Sequence, residues 1–127
     1  MQNSSLLFLF TIRYRSEAYA AKPLLKKYHS LSRDLLLLEK ELLETPRLGT
    51  PLGHDTYKIR LKISSKGKGK SGGARVISLV ETSLIGFTEI VSDEEVTVNL
   101  ITIYDKGDVA NISDKELKDL IKNFKSL

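Results

Sequence analysis

Tyr57-Lys58-Ile59-Arg60-Leu61-Lys62-Ile63 alternates without a break between apolar and cationic residues. A period of two marks a half-buried strand, because successive side chains of extended backbone point to opposite faces. One face, Tyr57, Ile59, Leu61 and Ile63, has to meet a core. The other carries Lys58, Arg60 and Lys62, three like charges spaced two residues apart. Folding gains nothing from their mutual repulsion. Either the face is solvated, with acidic neighbours across the strand pair, or it is a platform for a polyanion.

The residues that follow bear on that choice. Lys66-Gly67-Lys68-Gly69-Lys70-Ser71-Gly72-Gly73 interleaves cations with glycines inside a loop from Ser64 to Gly73. Glycine lets backbone N–H groups turn toward an anion, and lysines add point charges; a flexible, soluble hairpin loop is the alternative. The loop is not a P-loop, since its spacing differs and a strand follows where a helix is needed. Ala74 to Val80 reads as that strand. Arg75, just inside it, offers a planar fork to phosphate. Pairing across the loop would bring Arg75 to Lys58 and Arg60. Thr82 to Glu95 reads as an irregular connection holding Leu84, Ile85 and Phe87, and Val96 to Tyr104 as a third strand of this region. Short and moderate links favour antiparallel pairing.

Upstream, Leu6 to Ile12 is an apolar run of strand length. It does not read as a signal peptide, because no basic residue precedes it and Arg13 and Arg15 follow at once. It is also far short of the roughly 20 apolar residues of a membrane span. Ser16 to Tyr28 is predicted helical, with Ala18, Ala21, Leu25 and Tyr28 on one face and Lys22, Lys26 and Lys27 elsewhere. Pro23 either kinks this helix or delays its start. A second helix is capped by Ser30 or Ser32, carries Asp34 in its first turn and buries Leu31, Leu35, Leu38 and Leu42. It ends at Thr45-Pro46, and Gly49 and Gly53 mark a loop. The short link between the two helices predicts an antiparallel hairpin. At the C-terminal end, Ser113-Asp114-Lys115-Glu116 is a capping box, and Leu117, Leu120, Ile121 and Phe124 recur at helical spacing. The order β-α-α-β-β-β-α predicts one α+β domain over residues 1–127. Its helical hairpin is packed on one face of a small, mainly antiparallel sheet.

Composition agrees. The 127 residues suit one domain, and 41% hydrophobic content is too high for a disordered chain. The absence of cysteine excludes disulfides, thiol catalysis and thiolate metal sites, and is compatible with a reducing cytoplasm. Twenty Lys plus Arg against sixteen Asp plus Glu give a net charge of +4 and a pI near 9.3. That balance suits a nucleic-acid partner without requiring one. No His-rich or carboxylate-rich constellation suggests a metal nuclease.

Tyr57-Lys58-Ile59-Arg60-Leu61, the string Ser65-Lys66-Gly67-Lys68-Gly69-Lys70-Ser71-Gly72-Gly73-Ala74-Arg75-Val76-Ile77, and Leu100-Ile101-Thr102-Ile103-Tyr104-Asp105-Lys106 together resemble the RelE/HigB-like toxins of bacterial toxin–antitoxin systems. Thr45 to Gly53 is similar to the loop before the first of these strands, and the resemblance runs with interruptions from about Ser16 to Ile121. It implies a RelE-like fold and a cytoplasmic bacterial protein silenced by a cognate antitoxin. It implies cleavage of mRNA in the ribosomal A site with no cofactor, metal or membrane. The 2′-hydroxyl attacks the adjacent phosphate, leaving a cyclic phosphate and a free 5′-hydroxyl. Such a reaction needs positive charge on the phosphorane and groups that move two protons, and a lysine crowded by cations gives up its proton more readily.

By motif position the resemblance assigns Lys58, Arg60, Arg75 and Lys106 to catalysis. Lys58 and Arg60 would serve proton transfer and charge neutralisation, Arg75 would grip the scissile phosphate, and Lys106 would stabilise charge or touch RNA. Lys62, Lys66, Lys68, Lys70 and Tyr104 are the expected RNA contacts, Tyr104 by stacking on a base or, alternatively, as a strand-end aromatic of the core. The chain departs from the family pattern where some members carry a tyrosine or histidine, offering Asn111, Ile112 and Ser113, and at Ser78, where relatives often carry an aromatic. His54 reads as a turn residue. Two rival readings share the fold: a ParE-like gyrase inhibitor, and a non-catalytic relative that binds RNA or antitoxin.

Overall fold

The computed structural model describes residues 6–14, 21–67, 69, 72–87, 92–107 and 111–126. The elements are β1 (Leu6–Tyr14), α1 (Ala21–Lys27), α2 (Leu31–Glu44), β2 (Thr50–Gly53), β3 (Thr56–Leu61), β4 (Ala74–Phe87), β5 (Ser92–Asp105) and α3 (Asp114–Ser126), with a 3-10 turn over Ser64–Lys66. Among the described residues the strands form one five-stranded sheet in the order β1-β5-β4-β3-β2. The hairpins β2–β3, β3–β4 and β4–β5 are antiparallel. β1 lies parallel to β5, so the first strand closes against the last. The fold is α+β and mainly antiparallel.

Strand alternation splits the apolar residues between two faces. Ile59, Leu61, Ile63, Val76, Val80, Val98 and Leu100 meet Leu24 of α1 and Leu31, Leu35, Leu38 and Leu42 of α2. On the opposite face Ile77, Leu79 and Ile101 meet Leu117 and Phe124 of α3. The sheet is thus covered by helices on both sides, which its two apolar faces require. No helix among the described residues is long and apolar enough to cross a membrane.

Several expectations are corrected. Within the described residues the first helix covers Ala21–Lys27 and includes Pro23; Ser16 and Ala18, and with them the predicted start of the helix, lie outside the described residues. Leu24 is its buried residue and Leu25 is exposed, so the face is turned by one position. The Gly49–Gly53 loop contains β2. Thr82 to Glu95 is no irregular connection: β4 runs on to Phe87 and β5 begins at Ser92. There the pairing of β4 with β5, extended by β1 along the same residues, outweighs the weak strand propensity of Gly86 and the acidic run Asp93-Glu94-Glu95.

The turn joining β2 to β3 has positive φ at both His54 (56°) and Asp55 (60°). That is the type I′ geometry matching the twist of a two-residue hairpin, so His54 is a turn residue. Ser30 stands at the N-cap position of α2 but makes no side-chain capping bond to the helix backbone; its hydroxyl donates to the Asp34 carboxylate at 2.8 Å. Asp34 is buried and also accepts from the Ser64 N–H at 2.9 Å and the Ser64 hydroxyl at 2.6 Å. Burial alone would raise its pKa. The bonds from Ser64 and Ser30, with the charge of Lys62, overcome that and lower it. The carboxylate thereby fastens the start of α2 to the turn that follows β3.

Candidate nucleic-acid interface

In the β3–β4 register Arg60 faces Arg75, and in the β4–β5 register Arg75 faces Tyr104. Arg60, Arg75 and Tyr104 therefore form one row across three strands, on the face that carries α3. Neighbouring strands lie about 4.8 Å apart, so the row spans two such steps. Lys58 lies two residues from Arg60 on the same face, in the next row with Ile77 and Thr102.

A β-bulge places Tyr104 in this row. Ile77 faces Thr102 while Ser78 faces Leu100, leaving Ile101 as an extra residue in β5. Strict alternation from Leu100 would send Tyr104 to the α1–α2 face. The inserted residue reverses every side chain beyond it. Ile101 packs beneath α3, Tyr104 comes beside Arg75, and Asp105 turns toward α1.

Arg75 is only 5% exposed, and its guanidinium donates to the Ala74 carbonyl at 3.1 Å. Burial first, and the charge of Arg60 second, lower its pKa, with Tyr104 acting the other way. An arginine starts so high that it stays charged. Arg60 is exposed at the open end of the row. It shares with Lys58, Gly49, Thr50, Leu48 and Glu41 of α2 a groove of about 260 Å³. Among the described residues the Tyr104 hydroxyl is buried and has no hydrogen-bond partner. Burial raises its pKa, Arg75 opposes that rise, and Glu116 adds to it.

α3 completes the site. The predicted capping box is formed: the Ser113 N–H donates to Glu116 Oε1 at 3.0 Å, and the Glu116 N–H donates to Ser113 Oγ at 3.1 Å. Bonds from the Ser113 backbone and side chain lower the Glu116 pKa. Ahead of the cap, Asn111 Oδ1 accepts from the Lys58 ammonium at 3.4 Å. Asn111, named from the sequence only as a departure from the family pattern, therefore meets Lys58, and Glu116, not singled out for the site, acts on Tyr104. The signal was the capping box, which fixes where α3 begins; that this start lies over the cationic row is a matter of packing.

The remaining cations divide. Lys62 is exposed just past the end of β3 and near Asp34. Lys66 is turned away from the row, on the α1 side. Its ammonium bonds Asp105 at 2.7 Å and lies 5.6 Å from the centre of the Tyr28 ring. The hydrogen bond to Asp105 is the main reason its pKa is raised. Asp105 also accepts from the Tyr28 hydroxyl at 2.6 Å and the Gly107 N–H at 2.9 Å. Burial would raise its pKa, but the bonds from Lys66, Tyr28 and Gly107 bring it down to about 2. Lys66 is thus part of an internal ion pair. Lys106 follows in the turn, where its N–H donates to the Gly73 carbonyl at 3.1 Å. Lys68 and Lys70 lie outside the described residues. Ser78 is buried on the α1–α2 face, away from the row.

Among the described residues no group of three or more His, Cys, Asp or Glu side chains could hold a metal ion. No protein-family model matches the chain.

Proposed function

We propose that the chain is the toxin of a toxin–antitoxin module and acts as a ribosome-dependent mRNA endonuclease, cutting by attack of a 2′-hydroxyl on the adjacent phosphate. The observation that carries the reading is the row Arg60–Arg75–Tyr104, with Lys58 alongside. Arg60 and Arg75 are paired in register and the charge of Arg60 bears on Arg75; a phosphate bound there gains charge-assisted hydrogen bonds from both. Arg75 holds the scissile phosphate from the protected side. Arg60 approaches from the exposed side and neutralises the charge that grows on the phosphorane. Lys58, as a neutral amine, takes the proton of the attacking 2′-hydroxyl and, now an ammonium, gives it to the leaving 5′-oxygen, held in place by Asn111. The Tyr104 ring stacks on a base. Lys106 and Lys62 extend the cationic rim. An acidic antitoxin segment suits a surface of this charge.

A non-catalytic, RNA-binding reading has one observation in its favour: the group that meets Lys58 from the α3 side is the amide of Asn111, which carries no transferable proton. The test is induction in a translating extract with mRNA ends mapped by primer extension. Cleavage confined to translated mRNA, and lost on Lys58→Ala and Arg60→Ala, supports the proposal. Intact mRNA with bound RNA selects the non-catalytic reading, and intact mRNA with arrested DNA supercoiling selects gyrase inhibition.

A further inference from the structure

The sheet has an open edge beside the cationic row. β2 pairs with β3 only as far as Thr50 opposite Lys58. A Cβ on Gly49 would meet the Lys58 carbonyl oxygen, and one on Gly73 would meet the Leu61 carbonyl oxygen. The Lys58 carbonyl therefore points toward β2 and the Leu61 carbonyl toward β4. In an antiparallel ladder the N–H and C=O of one residue face the same side, and successive residues alternate. Arg60 thus turns its N–H and C=O the way Lys58 does. A trans peptide sets the Lys62 N–H opposite the Leu61 carbonyl, on that same side. Among the described residues no strand lies there to meet these two donors and one acceptor. A trench between the edge and α2 lies there instead. A hollow of about 200 Å³ is lined by Leu37, Glu41, Arg60 and Lys62, and the groove beside Leu48 continues it, Arg60 and Glu41 belonging to both.

We infer that this edge receives a strand from a protein partner, an extended segment in which acidic and apolar residues alternate. The inference concerns protein docking and stands whether or not the row binds RNA. Main-chain pairing to an exposed sheet edge supplies affinity, and alternate side chains supply the choice of partner. Residues directly opposite one another in neighbouring strands share a face. A residue set opposite Arg60 lies on the face of Lys58 and Arg60, where a carboxylate meets opposite charge. A residue set opposite Leu61 points to the α2 side, where Leu37 is exposed and the exposed Glu41 repels an acid. The two faces thus fix the phase of the alternation as well as its sign. They also exclude a second copy of this chain as the occupant, because pairing β3 with itself would set Lys58, Arg60 and Lys62 against their own copies. Charges of one sign along an open edge are a common guard against such self-pairing. An acidic strand is the partner that this guard admits.

The probe is the end-blocked peptide Glu-Val-Glu-Val-Glu-Val-Glu, titrated into the isotope-labelled full chain and followed by backbone amide resonances and amide exchange. Saturation shifts Leu37, Glu41, Arg60 and Lys62 together and slows exchange of the Arg60 and Lys62 amides at least tenfold. Three other peptides bind at least tenfold more weakly. Glu-Glu-Glu-Glu-Val-Val-Val has the same composition without the alternation, and Lys-Val-Lys-Val-Lys-Val-Lys has the alternation with the wrong sign. The third is the alternating acidic peptide N-methylated on its glutamates, which keeps its side chains and loses the N–H groups that face β3. Leu37→Glu, at an exposed position, leaves stability in urea unchanged and weakens the alternating acidic peptide severalfold. Equal affinity for the block peptide or for the N-methylated one overturns strand addition in favour of plain charge attraction. Exchange at Arg60 that slows with the concentration of the chain alone overturns it in favour of self-pairing. No shift with the alternating acidic peptide overturns it outright, and each of these results leaves the RNA reading standing.

Discussion

Asp105→Asn is the substitution with the most to say about how the site is held. The carboxylate ties together three places: the end of α1 through Tyr28, the turn after β3 through Lys66, and the end of β5 through Gly107. Its pKa is brought down from 3.8 to about 2. At about 1.4 kcal/mol per pKa unit, that shift contributes roughly 2 kcal/mol of stability at neutral pH. The substitution also leaves the Lys66 ammonium, 14% exposed, without its counter-charge. Breaking a buried pair from one side costs about 3–5 kcal/mol, so the total loss is about 2–4 kcal/mol, Lys66 keeping some access to water. The pH dependence has a definite sign. A carboxyl whose pKa is lowered by folding stabilises in full above its ordinary value of 3.8 and loses that contribution as pH falls through about 2. Urea unfolding of the two proteins shows a constant gap at neutral pH that closes toward pH 2. A Lys66→Met companion and the double variant give a coupling free energy of about 1–3 kcal/mol. A loss below about 0.5 kcal/mol at neutral pH, or a gap as large near pH 2 as at neutral pH, refutes the reasoning.

Further consequences are open to simple measurement. A Cβ on Gly73 would run into the Leu61 carbonyl oxygen where β3 meets β4; Gly73→Ala lowers stability by about 1–3 kcal/mol in urea unfolding and disturbs the Arg60–Arg75 register, seen as weakened RNA binding. Ser113→Ala breaks the capping box and costs about 1 kcal/mol, with amide exchange fastest in the first turn of α3. Lys58→Ala lowers the slope of log affinity for single-stranded RNA against log salt by about 0.7, the value for one lost phosphate contact. Lys66→Ala leaves that slope unchanged, because its charge is held by Asp105.

The α+β class, the second helix and the cap of the third were legible because each rests on local chemistry. Leu31, Leu35, Leu38 and Leu42 are all buried, as their spacing required, and Ser113 and Glu116 bond one another across one helical turn. The cationic alternation of β3 was legible for the same reason. What misled was also local. Gly86 and the acidic run at Asp93 looked like loop, yet strand length there is set by partners far away in sequence. Lys66 looked like its neighbours in a Lys/Gly string, and nothing nearby announces that Asp105, 39 positions on, holds it.

The sequence by itself determined that a strand with one apolar and one cationic face exists, that a glycine-rich turn follows it, and that an arginine begins the next strand. These follow from side-chain periodicity and backbone permissiveness, which act over a few residues. Which groups meet was decided only by the tertiary structure. The β3–β4 register set Arg60 opposite Arg75, and the extra residue at Ile101 rotated the end of β5 so that Tyr104 joined them while Asp105 went inward. A bulge inserts one residue and reverses a face. Its position answers to the packing of β5 between two helical layers, and no local pattern in Leu100-Ile101-Thr102-Ile103-Tyr104 records it.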